Sequence, residues 1–316
     1  MSTLKRCYTT SLALVMLALG AAQYTSAQTP VRLPRPSQKA SVMQTIGVTD
    51  VTIAYSRPGV KGRVIWGDPL PEQQASAKGE ATLDDQNVRP KGAPIVPWGH
   101  MWRTGANEAT MFEVTDDVLI NGQKLAAGNY SLHTIPTKDE WTIVFNGAAN
   151  QWGSFYYDPA KDTLRVKVKP EWVGMNKEWL EFWIDPVNAN SAKVTMAWEK
   201  VRVPFTVEVP NVEAVWRAKV DAAMTANPGD EKIPLSVASL YSGDDKWDEA
   251  LAWADKSIKV KETFQNLSTK ARFLYAAGRK DQAFALADQA IAKGKADKVD
   301  TTGFEKRVAT WKAGKM

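Results

Sequence analysis

The sequence predicts a multi-domain α and β protein, in which an antiparallel β-sandwich or flattened barrel is followed by all-α helical hairpins. Two observations predict this fold class. Between Ser41 and Val209, apolar residues recur at every second position, which is typical of strands. After Pro210 they recur with a period near 3.6 in alanine-rich segments, which is typical of helices. The change of period predicts a β domain over residues 41–209 and a helical domain over residues 211–316.

The first 27 residues have the three parts of a secretory signal peptide. Lys5 and Arg6 precede an apolar run from Leu12 to Ala22, and small residues precede Gln28. We therefore expect a periplasmic or secreted protein that begins with a linker over residues 28–40. No other stretch reaches the roughly 20 apolar residues that a spanning helix needs, so no membrane span is expected after cleavage. Cys7 would be lost with the signal, which excludes a disulfide or a thiolate metal site.

The charge distribution argues against nucleic acid as a partner. Loss of Lys5 and Arg6 with the signal lowers the formal net charge from +5 to +3. Residues 28–210 carry equal numbers of basic and acidic side chains, and residues 211–316 are only mildly basic. Nucleic-acid binding needs a concentration of positive charge, which this distribution lacks. No pattern in the sequence calls for a cofactor.

The β half is predicted to contain eight to ten short strands separated by turns. Asn121-Gly122 suits a tight hairpin because its residues tolerate positive φ. The polar stretch over residues 70–94 is predicted to be an inserted surface loop. In "EWLEFWIDP", residues 178–186, apolar side chains occupy both faces of the strand, which favours a central strand covered on both sides.

The helical half is predicted to consist of hairpins that repeat. Ala250 and Ala254 in one hairpin align with Ala283 and Ala287 in the next at an offset of 33 residues, and the arrangement resembles a tetratricopeptide repeat. Such hairpins could form a groove for a protein partner, or they could cap an edge of the β domain. The predicted helices are Val212–Ala226, Ile233–Ser242, Lys246–Lys259, Gln265–Ala277, Lys280–Lys293 and Thr302–Lys312.

Three sequence blocks in the β half are similar to a bacterial family of unknown function numbered 2911. They are "YSRPGVKGR" (residues 55–63), "WGHMWRTGANEAT" (residues 98–110) and "QWGSFYYDP" (residues 151–159), and the resemblance covers residues 36–209. It implies an exported bacterial protein and supplies no activity. The polar stretch 70–94 is short in the family, and the family accepts other residues at His100 and His133, which argues against an imidazole mechanism.

The first two blocks are expected to meet at one end of the sandwich and to bind a small ligand or an extended peptide. Indole faces would hold an apolar or sugar ring, and a guanidinium would fork onto a carboxylate or phosphate. Alternatively the same residues are architectural: the arginines pair within the protein and the tryptophans pack in the core. The candidate residues are Tyr55, Arg57, Lys61, Arg63, Trp98, Trp102, Arg103, Asn107 and Glu108.

Catalysis is the weaker interpretation of these blocks. Glu108 could act as a general base with Arg103 stabilising negative charge, which would make the protein a hydrolase of envelope glycan or peptide. Ser56 lacks the G-x-S-x-G context of a serine nucleophile. A metal would require His100, Glu108 and His133 to converge on one ion, whereas a single strand histidine is more often simply hydrogen-bonded. We therefore predict a non-catalytic binding or assembly protein of the bacterial envelope, with a purely structural scaffold as the other alternative.

Overall fold

The computed structural model describes residues 33–74 and 90–314. The signal peptide predicted over residues 1–27 lies outside this part, as does the middle of the predicted surface loop. Residues 33–36 belong to a separate N-terminal unit and contain no helix or strand. From Ser37 onward the described residues form one compact unit. Its first strand begins at Gln38, inside the stretch predicted as a linker, because Gln38 already pairs with Arg57.

Twelve strands lie within the described residues, and most follow the period-two runs of the sequence. A short helix, α1 (Pro71–Gln74), and a 3-10 turn (Pro159–Lys161) lie between them. The strands are β1 (Gln38–Ile46), β2 (Thr49–Arg57), β3 (Trp66–Gly67), β4 (Val96–Pro97), β5 (Thr110–Val114), β6 (Val118–Ile120), β7 (Gln123–Leu125), β8 (Gly128–Ile135), β9 (Trp141–Asn146), β10 (Asp162–Val168), β11 (Glu171–Asn188) and β12 (Ser191–Glu208).

The strands form two antiparallel sheets that enclose one core, with β3 and β4 as a separate parallel pair. The six-stranded sheet has the order β1-β2-β5-β8-β9-β10, and the four-stranded sheet has the order β11-β12-β6-β7. The described strands form no closed barrel, so the sandwich alternative is the one confirmed. Asn121 and Gly122 connect β6 to β7 with φ angles of 47° and 82°, which confirms the predicted hairpin turn.

The prediction that β11 is a central strand is wrong, because β11 lies at the edge of the four-stranded sheet. Leu180 and Phe182 face the core as expected. Trp179 on the opposite face remains 42 % exposed, and the indole N–H of Trp183 donates to Asp185 at 2.8 Å. The second apolar face of this strand is therefore partly open to solvent, with polar partners near its rings.

Six tryptophans form a continuous cluster that begins between the sheets and reaches the surface. Trp66 is its centre, with ring centroids 5.1 Å from Trp141 and 5.6 Å from both Trp102 and Trp198. Trp66 also stacks on Trp98 at 6.0 Å, and Trp98 meets the half-exposed Trp172 at 6.2 Å. Four of the six are buried, so these indoles serve mainly as core rather than as a carbohydrate platform.

The described ends of the polar stretch 70–94 are packed rather than free at the surface. The backbone N–H of Leu70 donates to the side chain of Gln73, and Gln73 in turn donates to the carbonyl of Pro94. Gln73 is buried. The two ends of this stretch are therefore tied to each other.

Six helices follow the sandwich, and their bounds lie close to the predicted ones. The buried alanines Ala250, Ala254, Ala283 and Ala287 allow close packing within the α3–α4 and α5–α6 hairpins, as the repeat predicted. No helix of the described residues is long and apolar enough to cross a membrane. The helices are α2 (Val212–Ala226), α3 (Lys232–Gly243), α4 (Trp247–Val260), α5 (Phe264–Ala276), α6 (Lys280–Ala296) and α7 (Thr302–Lys312).

Helix α2 packs directly against the sandwich. Val212 and Val215 contact the β core, and Lys219 forms an ion pair with Asp116 at 2.8 Å. Burial alone would raise the pKa of Asp116, but hydrogen bonds from Lys219 and Thr49 outweigh it and lower the pKa. This helix therefore acts as a cap on the β half.

Candidate ligand-binding site

A cavity of about 250 Å³ lies on the outer face of the six-stranded sheet. Ile53 and Tyr55 of β2 point into the core, so the alternate residues Ala54 and Ser56 face the cavity side. Lys39 of β1 pairs with Ser56, and Met111 of β5 pairs with Ala54, which places four side chains on one patch of the sheet. The lining residues are Lys39, Ala54, Tyr55, Ser56, Glu108, Ala109, Met111, Ala149, Asn150, Gln151 and Trp152.

The remaining wall of the cavity comes from residues 149–152. They belong to a longer stretch, residues 147–161, which we call the covering segment. This segment runs beside the loop before β5. The N–H of Ala109 donates to the carbonyl of Gln151 at 3.0 Å, and the N–H of Gly153 donates to the carbonyl of Asn107 at 2.9 Å. Glu108 and Trp152 face each other in a β-bridge. The backbone pairing therefore sets the width of the cavity at this side.

A polar clamp fixes the far end of the covering segment to β10. The hydroxyl of Tyr157 donates to Asp162 at 2.7 Å, and Arg165 donates both to Asp162 at 2.8 Å and to the Tyr157 oxygen at 2.9 Å. Burial and the hydrogen bond to Asp162 raise the pKa of Tyr157. Asn146 adds a hydrogen bond to the carbonyl of Asp158 at 2.9 Å. The wall of the cavity is thus held by side chains outside it.

Gln151 is the most constrained polar group of the cavity. Its amide nitrogen donates to the hydroxyl of Ser131 at 2.9 Å and to the carbonyl of Ala148 at 3.0 Å. Both N–H groups of the amide are therefore used, which fixes its orientation. Its Oε1 is buried and accepts no hydrogen bond. A buried acceptor without a donor costs free energy, and a ligand donor would recover it.

His133 lies behind the cavity, completely buried between two serines. Its Nε2 is 3.2 Å from the hydroxyl of Ser131, and its Nδ1 is 3.3 Å from that of Ser154. The ring also meets Tyr157 at 5.2 Å. His133 is thus a hydrogen-bonded strand histidine, the commoner of the two predicted interpretations. Among the described residues no group of three His, Cys, Asp or Glu side chains could hold a metal, so the alternative metal site of His100, Glu108 and His133 does not form.

The "YSRPGVKGR" block joins the two sheets instead of lining the cavity. Tyr55 of β2 lines the cavity, although its ring belongs to the core. Its hydroxyl accepts a hydrogen bond from the N–H of Phe182 at 3.0 Å. Arg57 donates to the carbonyl of Leu180 at 2.8 Å and to Glu181 at 3.2 Å.

The lysine and second arginine of this block are also engaged by protein atoms. The N–H of Lys61 donates to Glu178 at 2.9 Å, and the Lys61 ammonium lies over the ring of Trp179. Arg63 donates to the carbonyls of Gly59 and Val60. Apart from Tyr55, the candidates of this block therefore contact other parts of the protein and do not line the cavity.

In the "WGHMWRTGANEAT" block only Glu108 and Ala109 line the cavity. Trp98 and Trp102 belong to the tryptophan cluster, and the indole N–H of Trp102 donates to the carbonyl of Gly105 at 3.1 Å.

The polar residues of this block hold the loop that presents Glu108. Arg103 donates to the carbonyl of Asn107 at 2.9 Å, and Asn107 donates to that of Ser37 at 3.1 Å. Thr104 and Asn107 adopt positive φ angles of 54° and 61°, which is strained for a β-branched threonine. A Cβ on Gly105 would lie 3.1 Å from the carbonyl of Ser56. The two blocks therefore do meet at one corner of the sheet.

Most of the cavity lining was not predicted from the sequence, including the large or polar residues Lys39, Met111, Asn150, Gln151 and Trp152. Ser56 was considered only as a nucleophile. One signal was available: the block "QWGSFYYDP" carries an amide and large aromatic side chains beside a glycine. Nothing in the local sequence indicates that this block covers β5 and β8, because those contacts join distant segments.

Fold and cavity together define a two-part protein, in which a β-sandwich with a small outer-face cavity precedes helical hairpins. The family described as a protein of unknown function, DUF2911, matches residues 37–207, which is more than half of the chain. The chain belongs to this family, as the three sequence blocks predicted. No curated protein and no solved structure matched the chain.

Proposed function

We propose that this chain is a non-catalytic binding protein of the bacterial envelope whose β-sandwich holds a small polar ligand in the outer-face cavity. The observation that carries the proposal is the cavity's polar lining, in which Glu108, Gln151, Ser56 and Lys39 surround about 250 Å³. A volume below the roughly 300 Å³ of drug-sized pockets favours a metabolite or the end of a peptide over a large ligand. The helical hairpins would then bind a protein partner.

The arrangement favours binding over hydrolysis. The hydrolase interpretation pairs Glu108 as base with Arg103 as the group that stabilises negative charge. Arg103 does not line the cavity, and its guanidinium is engaged by the carbonyl of Asn107. Arg103 therefore does not face the space in which a substrate of the cavity would lie.

A cavity-filling variant tests the proposal. In Ala54→Phe a ring would occupy the space above β2, whereas Thr52→Phe adds the same ring to the same strand face outside the cavity. A panel of monosaccharides, free amino acids and dipeptides would be screened by thermal shift and titration calorimetry. We expect one class to bind wild type and Thr52→Phe but not Ala54→Phe. If no probe shows this pattern, the binding proposal is wrong; turnover of a probe that Glu108→Gln abolishes would establish the hydrolase instead.

The envelope location rests on the predicted signal peptide. Expression of the full chain in a Gram-negative host should give a mature protein in the periplasmic fraction whose N-terminal residue is Gln28. Mass spectrometry of the intact protein would read this directly. An uncleaved chain in the cytoplasmic fraction would contradict the proposal.

A further inference from the structure

We infer that the helical half binds an acidic segment of a protein partner through Arg272 of α5 and Arg307 of α7. This inference rests on the partner role of the hairpins in the proposed function, and it names the chemistry of that partner. Three observations carry it. The two arginines lie together, neither is neutralised by an acid of the described residues, and large aromatic rings lie beside them.

Helices α5 and α7 lie side by side and run in the same direction. Phe264 at the start of α5 meets Phe304 near the start of α7, with ring centroids 5.9 Å apart. Tyr275 near the end of α5 stacks on Trp311 near the end of α7, with centroids 4.4 Å apart and ring planes that differ by 9°. Residues between these two contacts are therefore neighbours across the two helices.

The two arginines lie at the same level of this helix pair. Arg272 lies one turn before Tyr275, and Arg307 lies one turn before Trp311, so each arginine shares a helix face with a ring of the stacked pair. Burial lowers the pKa of the Arg272 guanidinium, and the positive charge of Arg307 lowers it further. Two positive charges therefore lie close enough to repel each other, and one of them is partly buried.

Within the described residues neither arginine has an acidic partner. The side chain of Arg272 forms one hydrogen bond there, to the hydroxyl of Thr269 at 2.8 Å, and the side chain of Arg307 forms none. Helix α5 contains no acidic residue. Glu305, the acid of α7, is already engaged by Lys295 at 2.9 Å. Because repulsion between partly buried cations is costly, an anionic ligand would be stabilised here.

The ligand chemistry follows from the guanidinium group and the rings beside it. A guanidinium carries five N–H donors in a planar fork that matches a carboxylate, and most of those of Arg272 and Arg307 are available to a ligand. Tyr275 and Trp311 are only partly buried, so the aliphatic parts of a peptide can pack against them. An acidic peptide supplies both carboxylates and aliphatic groups.

An anionic membrane surface fits this face less well. Membrane recognition by charge relies on clusters of roughly four to eight lysines and arginines. Several lysines of α6 and α7 are instead neutralised by acids of the same helices or of the turn between them. These ion pairs are Lys293 with Asp297, Lys295 with Glu305, and Lys312 with Asp288.

Binding of labelled peptides to the mature protein tests the inference. The probes are three peptides of equal length in which glycine alternates with glutamate, with glutamine or with lysine, and fluorescence anisotropy measures their binding. We expect the glutamate peptide to bind wild type about tenfold or more tightly than the glutamine peptide, because charge-assisted hydrogen bonds form only with the carboxylates. Added salt should weaken this binding, and the lysine peptide should not bind.

Three variants assign the binding to the two arginines. Arg272→Gln and Arg307→Gln should each weaken binding of the glutamate peptide about tenfold or more and leave the glutamine peptide unchanged. Arg272→Lys keeps the charge without the fork, so it should restore only part of the affinity. Arg307→Gln removes a repulsion, so the melting temperature of the free protein should not fall.

Lys259→Gln is the matched control, because it removes one positive charge from an exposed position on α4 and should bind the glutamate peptide like wild type. Circular dichroism would establish that each variant is folded.

The inference is wrong if the glutamate peptide binds no better than the glutamine peptide, or if both glutamine variants bind it as wild type does. It is also wrong if phosphatidylglycerol vesicles or inorganic phosphate, and not the peptide, bind in a way that both variants abolish. None of these outcomes concerns the cavity, which Ala54→Phe tests separately. Conversely, peptide binding without any cavity ligand would support the inference and contradict the cavity part of the proposed function.

Discussion

Lys219 of α2 reaches across to the sandwich and donates to Asp116, with 2.8 Å between the ammonium nitrogen and the carboxylate oxygen. Lys219 also donates to the carbonyl of Val48 at 3.1 Å, and Thr49 donates to Asp116 at 2.8 Å. The carboxylate of Asp116, in the segment before β6, thus joins α2 to the start of β2.

This ion pair predicts an acid-sensitive attachment of α2. The pKa of Asp116 is lowered from its ordinary 3.8 in the folded protein, so its contribution to stability is complete above that value and is lost as the pH falls through the folded pKa. Asp116→Asn should lower the free energy of unfolding by about 1–3 kcal/mol near neutral pH and by less at about pH 3. Urea unfolding at both pH values measures this. Asp221→Asn, an exposed change on α2, is the control, and an equal loss at both pH values would contradict the assignment.

Two glycines of the helical half should respond oppositely to alanine. A Cβ on Gly294 of α6 would lie 2.4 Å from Thr301 and 3.0 Å from Phe264, whereas a Cβ on Gly303 of α7 would meet nothing within 4 Å. Gly294→Ala should destabilise the protein by about 1–3 kcal/mol because the α5–α7 packing must shift. Gly303→Ala should be neutral or stabilise by up to about 1 kcal/mol. Thermal unfolding of both variants checks this difference. Equal shifts of the melting temperature would contradict the prediction.

Arg57 is expected to matter for stability and not for ligand affinity. Its guanidinium donates to the carbonyl of Leu180 and to Glu181, and its side chain is 34 % exposed. Arg57→Met should therefore lower the free energy of unfolding by about 1–2 kcal/mol, since the carbonyl of Leu180 and the carboxylate of Glu181 each lose one hydrogen bond while Glu181 keeps Lys177. Denaturant unfolding and calorimetry with a cavity ligand would be run on the same preparation. A large loss of affinity without loss of stability would restore Arg57 as a ligand residue.

The clamp around Tyr157 should control the covering segment. Tyr157→Phe keeps the ring against His133 and removes the hydroxyl that contacts Asp162 and Arg165. We expect a loss of about 1 kcal/mol and faster amide hydrogen exchange confined to residues 147–161. Tyr156→Phe is the matched control, because the side chain of Tyr156 is 77 % exposed. Equal exchange in the two variants would show that the clamp does not hold the segment.

The helical half was predictable from sequence because its determinants are local. Alanines at an offset of 33 residues mark the buried faces, and all four that the repeat singled out are completely buried. The Asn121-Gly122 turn is equally local, since two residues carry the required φ angles. In both cases the pattern and the structure that it specifies lie within one segment.

The cavity was predictable only in part because it depends on pairings between distant segments. Of the nine candidate residues, Tyr55 and Glu108 line it. Lys39 enters through the register of β1 on β2, and Gln151 enters through its contact with Ala109. An arginine in a loop also looks the same in sequence whether it binds a ligand or a carbonyl of its own chain. The position of β11 was predicted wrongly for a similar reason. Apolar residues on both faces of a strand do not show whether the strand lies at the centre or at the edge of a sheet.

The tryptophan cluster has an optical consequence. Indoles at these separations exchange excitation faster than they emit, so fluorescence from the sandwich is a property of the group rather than of any one ring. A quencher that reaches only Trp172 at the surface would also dim its buried neighbours. Near-parallel pairs such as Trp102 and Trp198, whose planes differ by 18°, should couple their transitions and distort the far-ultraviolet dichroism that is normally read as secondary structure.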